Sequence, residues 1–140
     1  MPELKTYDLF ISHAWKHHDD YDHLEEMLKN APLFKWRNYS ATEQHPVVDD
    51  NDVESKKVIL EHLERQIKPV NLVMILGGMY VTHSKWINEE IRIAQHYKKP
   101  IIGIYPRGHQ NMPLVIQEAA VELVGWNTGS IVAAIRQHAL

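Results

Sequence analysis

Hydrophobic positions along the chain follow two alternating patterns. Continuous apolar runs of strand length occupy residues 6–12, 70–76 and 101–105, and weaker ones occupy 34–39 and 120–124. Runs of this length without polar alternation are typical of strands that are buried on both faces of a sheet. We therefore predict five strands, the central ones fully covered.

Between these runs, apolar residues recur three or four positions apart, which is the spacing of amphipathic helices. Ser84 is the predicted N-cap of the helix after the third strand, and Pro100 follows its end. Residues 41–52 form a polar, acidic loop around Pro46. The helices are predicted at residues 19–30, 53–68 and 84–98, with one or two turns within 110–118 and a last helix capped by Thr128 or Ser130.

Alternation of strands and helices predicts an α/β fold with a five-stranded parallel sheet and helices on both faces. Right-handed crossovers favour the flavodoxin-like strand order 2-1-3-4-5 within a single domain, residues 1–140. Such sheets bind ligands beyond the carboxyl ends of the strands, where the order reverses between strands 1 and 3. This rule selects residues 12–16 and 77–84 as the candidate site.

Composition narrows the classes of function. The 140 residues are 44% hydrophobic and 24% charged, with a net charge of −3, which argues against electrostatic binding to nucleic acid or an anionic membrane. There are no cysteines, so a cysteine nucleophile and thiolate metal sites are excluded. No apolar run reaches the roughly 18 residues of a membrane span, and the N-terminus lacks a secretory pattern. We expect a cytoplasmic protein whose mature chain begins at Met1.

The loop after the first strand excludes several common uses of this fold. Residues 12–17 contain no glycine, so a dinucleotide-binding GxGxxG turn is absent, as is the GxxxxGK[ST] phosphate loop. Bulky Trp15, His17 and His18 replace the small residues of a flavin phosphate loop. The third strand ends without the aspartate that a phospho-receiver needs.

Glu90 is a charged residue on an apolar helix face. At about 100° per residue, Ile87 and Ala94 lie on the same side of the predicted helix as Glu90. We place this carboxylate about one turn from the end of strand 3, at the mouth of a cleft. Burial of a carboxylate is costly unless it is paired or hydrogen-bonded, so it either forms a structural pair or serves a function. The polar residues of the opposite face are Glu89, Arg92 and His96.

Residues 17–23 are rich in histidine and aspartate, which suit zinc, manganese or iron. The spacing matches no HExxH-type motif, and the run spans a loop and the start of a helix. We interpret it as a solvated helix cap and predict no metal site, with a metal-dependent hydrolase as the competing hypothesis.

Two motifs resemble TIR domains. Residues 7–12, Tyr-Asp-Leu-Phe-Ile-Ser, look like the opening TIR strand (Y)DVF(I/L)S, and residues 84–91 resemble the helix motif S-x-W-C-x-x-E-L. The motif cysteine is Ile87, Ala14-Trp15 replaces a common Arg-Gly, and residues 41–52 lack the glycine usual in the corresponding BB loop. Within this family, the chain is most similar to the TIR-like proteins of bacterial Thoeris anti-phage systems.

The resemblance implies cleavage of the nicotinamide–ribose bond of NAD+, which is a substrate here and not a cofactor, with Glu90 as the catalytic residue. Trp15 and Tyr80 flank the predicted cleft, where they either stack on a base of the substrate or serve only in packing. His13 either contacts a phosphate or ribose group or is an ordinary polar loop residue. The predicted substrate-binding residues are Ser12, His13, Trp15, Tyr80, Ser84 and Trp86.

The resemblance also implies partners. A cyclic or conjugated ADP-ribose signal would activate a downstream effector protein, and TIR enzymes often need neighbouring copies to complete their sites, so a homo-oligomer is compatible with this hypothesis. TIR folds also include scaffolds, so a non-catalytic interaction module is the main alternative. The sequence leaves the product, the trigger and the oligomeric state open.

Overall fold

The computed structural model describes residues 5–12, 19–40, 53–108 and 111–140. Strands and helices alternate along the chain, as predicted. The strands are β1 (Thr6–Ile11), β2 (Lys35–Asn38), β3 (Leu72–Leu76), β4 (Ile101–Ile104) and β5 (Glu122–Val124). The helices are α1 (Asp19–Lys29), α2 (Val53–Ile67), α3 (Tyr80–His96), α4 (Leu114–Ala119) and α5 (Thr128–His138).

The five predicted strands are present, each slightly shorter than its apolar run. Helix ends account for two of the differences. The amide of Val70 donates to Ile67 O at 3.1 Å and that of Ala120 to Ile116 O at 2.9 Å, so both residues close the preceding helix. An apolar residue just before a strand can thus belong to a helix end, which periodicity alone does not reveal.

The sheet has the order β2-β1-β3-β4-β5, and every pair of neighbouring strands is parallel. Leu9 lies between Asn38 of β2 and Leu72 of β3 in the register. This confirms the predicted flavodoxin-like order. The order reverses between β1 and β3, so a crevice is expected beyond the carboxyl ends of those two strands.

Helices cover the sheet in two groups. α2 packs against α3, and α1 packs against α5. Right-handed crossovers place α2 and α3 on one face and α1 on the other, because the chain leaves β1 in the opposite direction to its later crossovers. All five residues of β3 are buried, which places the centre of the core on this strand.

Gly103 in β4 marks a close approach between sheet and helix. A Cβ at this position would lie 2.7 Å from Leu123 Cδ2 and 2.8 Å from Ile116 Cγ2. Only glycine lets α4 and β5 pack this tightly against β4.

Two helix starts differ from the prediction. The third helix begins at Tyr80, directly after a 3₁₀ turn at Gly77–Met79, and not at Ser84. The last helix is capped by Asn127, whose side chain accepts a hydrogen bond from Ser130 N, and not by Thr128 or Ser130. Among the described helices, none has the length and apolar character needed to cross a bilayer.

Candidate active site at the carboxyl edge of the sheet

Ser12 joins the two central strands where the strand order reverses. Its amide donates to Met74 O at 2.8 Å, and its hydroxyl accepts from the amide of Leu76 at 2.8 Å. The residue is 0% exposed. The side chain predicted to line the nucleotide site therefore lies at the expected edge, where it extends the β1–β3 pairing by one hydrogen bond.

α3 follows β3 through the Gly77–Met79 turn, so its first residue, Tyr80, lies at the same edge. The Tyr80 hydroxyl donates to Asn88 Oδ1 at 3.0 Å, two turns further along the helix. Ser84 is half-buried in the second turn and is not an N-cap, because the backbone is already helical before it.

Glu90 lies on the inner face of α3, as the helix period predicts. It is 1% exposed, beside the buried Ile87 and Ala94, whereas Arg92 and His96 face outward. Its predicted position along the helix is wrong. Because α3 starts at Tyr80, Glu90 lies ten residues, about 15 Å, from the helix start and not one turn from the strand. Its carboxylate is enclosed and does not stand at an open rim.

Trp86 precedes Glu90 by four residues, so both side chains lie on the same face of α3. The indole is buried, and the ammonium of Lys85 lies 5.4 Å from its ring centre. The contact of Trp86 with substrate, predicted above, stays a prediction.

Several predicted site residues lie outside the described part of the chain. His13 and Trp15 belong to residues 13–18, which also contain His17 and His18 of the candidate metal cluster, and the acidic loop is residues 41–52. Within the described ranges, no group of three or more His, Cys, Asp or Glu side chains could hold a metal ion.

The structure adds a second group of residues at the carboxyl edge. Asp20, interpreted above as part of a solvated cap, is only 8% exposed. Its Oδ1 lies 3.7 Å from Nη1 of Arg107, which follows β4. The Arg107 guanidinium lies 5.8 Å from the ring centre of Trp126, whose Nε1 donates to Tyr105 O at 2.8 Å. Sequence reasoning missed this group, although the position of Arg107 just after a strand is a signal for it.

A polar network closes the carboxyl end of β2. Asn38 Nδ2 donates to the Tyr21 hydroxyl at 2.9 Å and to Glu25 Oε2 at 2.7 Å. The Ser40 hydroxyl donates to Asn38 Oδ1 and lies 3.2 Å from the Tyr21 hydroxyl. Burial raises the pKa of the Tyr21 phenol, while its hydrogen bonds to Ser40 and Asn38 oppose that shift. The network ties α1 to the end of β2 next to the candidate site.

Comparison with known proteins identifies one family. The family model described as "Thoeris protein ThsB, TIR-like domain" matches residues 10–111, well over half of the chain. The matched segment contains the whole helix motif, residues 84–91, and the last three residues of the strand motif, 10–12. No curated protein gives a significant match.

Solved structures share the fold. A 2-deoxyribosyltransferase from the psychrotolerant bacterium Bacillus psychrosaccharolyticus superposes with a TM-score of 0.59 at 12% identity, covering 89% of both chains. A conserved protein from Enterococcus faecalis V583 superposes with a TM-score of 0.62 at 10% identity, covering 95% of this chain and 99% of the other. At these identities the likeness extends to the fold alone.

Proposed function

Because this chain belongs to the family of the Thoeris protein ThsB TIR-like domain, we propose that it cleaves the nicotinamide–ribose bond of NAD+. The product is an ADP-ribose-derived signal, cyclic or conjugated, that activates a partner effector in anti-phage defence. The observation that carries the proposal is Glu90, a carboxylate at 1% exposure on the inner face of α3 beside Trp86.

Glu90 is buried on the inner face of α3 and belongs to the TIR helix motif of residues 84–91, which supports a role beyond stability. Moving a carboxylate out of water costs several kcal/mol unless paired or hydrogen-bonded groups offset the cost. Apolar residues of similar size at such positions are often neutral or stabilising. The position of Glu90 as the glutamate of the TIR helix motif therefore supports a role in the reaction.

One carboxylate suffices for this reaction. When the bond between ribose C1′ and the nicotinamide nitrogen breaks, its electron pair leaves with nicotinamide, which departs as a neutral molecule. The ribose develops oxocarbenium character, as in glycoside hydrolysis. A carboxylate beside the ribose would hydrogen-bond its hydroxyls and stabilise this positive charge. A general acid is not required, because the leaving group needs no proton.

The nucleophile that next bonds to C1′ decides the product. Water gives ADP-ribose and releases a proton, an adenine ring nitrogen gives a cyclic nucleotide, and another acceptor gives a conjugate. Since Glu90 is 1% exposed, contact with the ribose requires movement of the groups that cover it. We therefore expect slow turnover in the isolated protein and faster turnover after assembly or a trigger from infection.

The test is Glu90→Gln, which keeps the size of the side chain and removes its charge. We expect loss of NAD+ cleavage by at least about a hundredfold, in line with removal of a transition-state electrostatic contact. Purified protein and infected-cell extract are each incubated with NAD+, and mass spectrometry follows nicotinamide and nucleotide products. Glu89→Gln, at the neighbouring position on the polar side of α3, is the matched control and should retain activity. Full activity of Glu90→Gln would contradict the proposal.

The burial of Glu90 also favours a second candidate, a non-catalytic interaction module of the same fold. In that case the carboxylate contributes only to packing, and no NAD+ loss occurs in purified protein or in extract. Loss of anti-phage protection would then follow from substitutions on the surface, while Glu90→Gln would change only the stability of the fold.

A further inference from the structure

Arg107 is a cation at the carboxyl edge of the sheet. It follows β4 by three residues, and half of its side chain is exposed (51%). Two other arginines of the described chain bind carboxylates directly: Arg37 donates to both carboxylate oxygens of Asp8 at 2.6 and 2.9 Å, and Arg92 donates to Glu89 at 2.7 and 2.9 Å. The distance from Arg107 to Asp20 is 3.7 Å, longer than a hydrogen bond. Among the described residues, Arg107 therefore lies near one counter-ion and has no close carboxylate pair.

Asp20 lies directly against the turn after β3. A Cβ at position 78 would lie 2.6 Å from Asp20 Oδ2, so the carboxylate lies directly against the backbone of Gly78 at the end of β3. Asp20 belongs to the first turn of α1. The Asp20–Arg107 pair thus connects three elements, the start of α1, the turn after β3 and the segment after β4, close to the reversal of strand order.

Trp126 supports the guanidinium from a further loop. Its ring centre lies 5.8 Å from Arg107, within the range of a cation–π contact, and its indole is fixed by the bond to Tyr105 O. A guanidinium held against an aromatic ring loses less conformational freedom when it binds a ligand.

We propose that Arg107 binds the diphosphate of the dinucleotide, and that Asp20 holds it in place when no substrate is bound. This inference rests on the proposed function. The planar donor array of arginine matches the oxygens of phosphate groups. A diphosphate carries two negative charges, and the chain has a net charge of −3, so a specific cation is needed to offset repulsion. The ligand class is a nucleoside diphosphate attached to a sugar.

Two substitutions have opposite expected effects under this proposal. Arg107→Ala removes the diphosphate contact and weakens binding. Asp20→Asn keeps the size of the side chain but removes the competing negative charge, so binding becomes tighter. If the pair only held the loops together, both substitutions would weaken binding.

The probe is ADP-ribose, which contains the diphosphate and lacks the scissile bond, with calorimetric titration of the full chain. We expect Arg107→Ala to raise the Kd at least about tenfold, as for loss of a hydrogen bond to a charged group, and Arg107→Lys to raise it less. Asp20→Asn should lower the Kd about two- to fivefold, as for loss of a like charge near the surface. Arg92→Ala, which removes an exposed arginine elsewhere, should leave the Kd unchanged.

Equal Kd values for wild type and Arg107→Ala would overturn the assignment, as would parallel weakening by Asp20→Asn or an absence of ADP-ribose binding by wild type. Circular dichroism verifies that each variant is folded, and Arg107→Lys provides the comparison should the alanine variant unfold. NAD+ cleavage is measured separately. Binding through Arg107 without cleavage in either purified protein or infected-cell extract would refute the enzymatic proposal alone. Cleavage together with an unchanged Kd for Arg107→Ala would refute the diphosphate site alone.

Discussion

Ser12 and Glu90 are both buried polar side chains, but Ser12 lies at the carboxyl edge of the sheet and Glu90 lies ten residues along α3. Ser12 has backbone partners on β3, and its hydroxyl satisfies the amide of Leu76. Glu90 lies among apolar residues of α3 such as Ile87 and Ala94. A hydroxyl that completes strand pairing has a sufficient structural explanation, whereas Glu90 is the candidate for chemistry because it is the glutamate of the TIR helix motif.

Replacement of Ser12 by alanine should lower the free energy of unfolding by about 1–3 kcal/mol, because the buried amide of Leu76 loses its acceptor. Urea denaturation followed by circular dichroism measures the change. Ser84→Ala, within a helix where alanine is well tolerated, is the control and should leave stability within about 0.5 kcal/mol. Unchanged stability of Ser12→Ala with weaker NAD+ binding would assign the hydroxyl to the substrate instead.

At the scale of single residues, the sequence predicted correctly those properties that depend only on the helix period. Glu90 was placed on the inner face of its helix because position on a face depends only on spacing along the chain. Asp20 and Arg107 were not connected, because they are far apart in the sequence and meet only when α1 and the segment after β4 converge. No local sequence pattern predicts a contact between two charged residues that are this far apart in the chain.

The hydrophobic pattern predicts where a helix lies but does not determine the residue at which it starts. Thr128 and Ser130 were the predicted caps of α5, yet Asn127 has the extended backbone of a cap, with φ −134° and ψ 121°, and its Oδ1 accepts from Ser130 N at 2.9 Å. Asparagine, serine and threonine are all suitable N-caps. Which of these three candidates within residues 127–130 serves as the cap depends on the direction in which the chain enters the helix from β5.

Asn127→Ala should destabilise the protein by about 1 kcal/mol, since the amide of Ser130 loses its side-chain acceptor. Thermal unfolding at constant buffer composition detects this as a lower Tm. Ser130→Ala is the matched control, because it keeps the backbone amide that Asn127 binds and should change stability by less than about 0.5 kcal/mol. A larger loss for Ser130→Ala than for Asn127→Ala would show that the cap is misassigned.

At the scale of the whole molecule, the network around Tyr21 links separate layers. The phenol on α1 interacts with Asn38 and Ser40 at the end of β2, and Gln66 of α2 donates weakly, at 3.4 Å, to Ser40 O. Helices α1 and α2 belong to opposite faces of the sheet. Loss of the Tyr21 hydroxyl should therefore weaken contacts that join both faces of the sheet. Ionisation of the phenol should lower the free energy of unfolding of the whole domain.

Stability should fall at alkaline pH in a Tyr21-dependent way. Burial raises the pKa of this phenol above its ordinary value of 10.0, so the folded state favours the neutral form. The associated stability is present in full below about pH 10 and is lost as pH rises through the higher pKa of the folded state. Tyr21→Phe should be less stable than wild type by about 1 kcal/mol at pH 8. The difference should shrink above pH 10 in urea titrations; a constant difference would contradict this.

The amino-acid sequence by itself determined the elements, the parallel sheet with order 2-1-3-4-5 and the inward face of Glu90. These properties depend on spacing, on continuous apolar runs and on the handedness of crossovers, all of which are local or follow general chain geometry. The tertiary structure alone decided the start of α3, the depth of Glu90, the strand-joining bonds of Ser12 and the meeting of Asp20 with Arg107. Each of these depends on contacts between segments distant in the chain, which form only when the helices pack against the sheet.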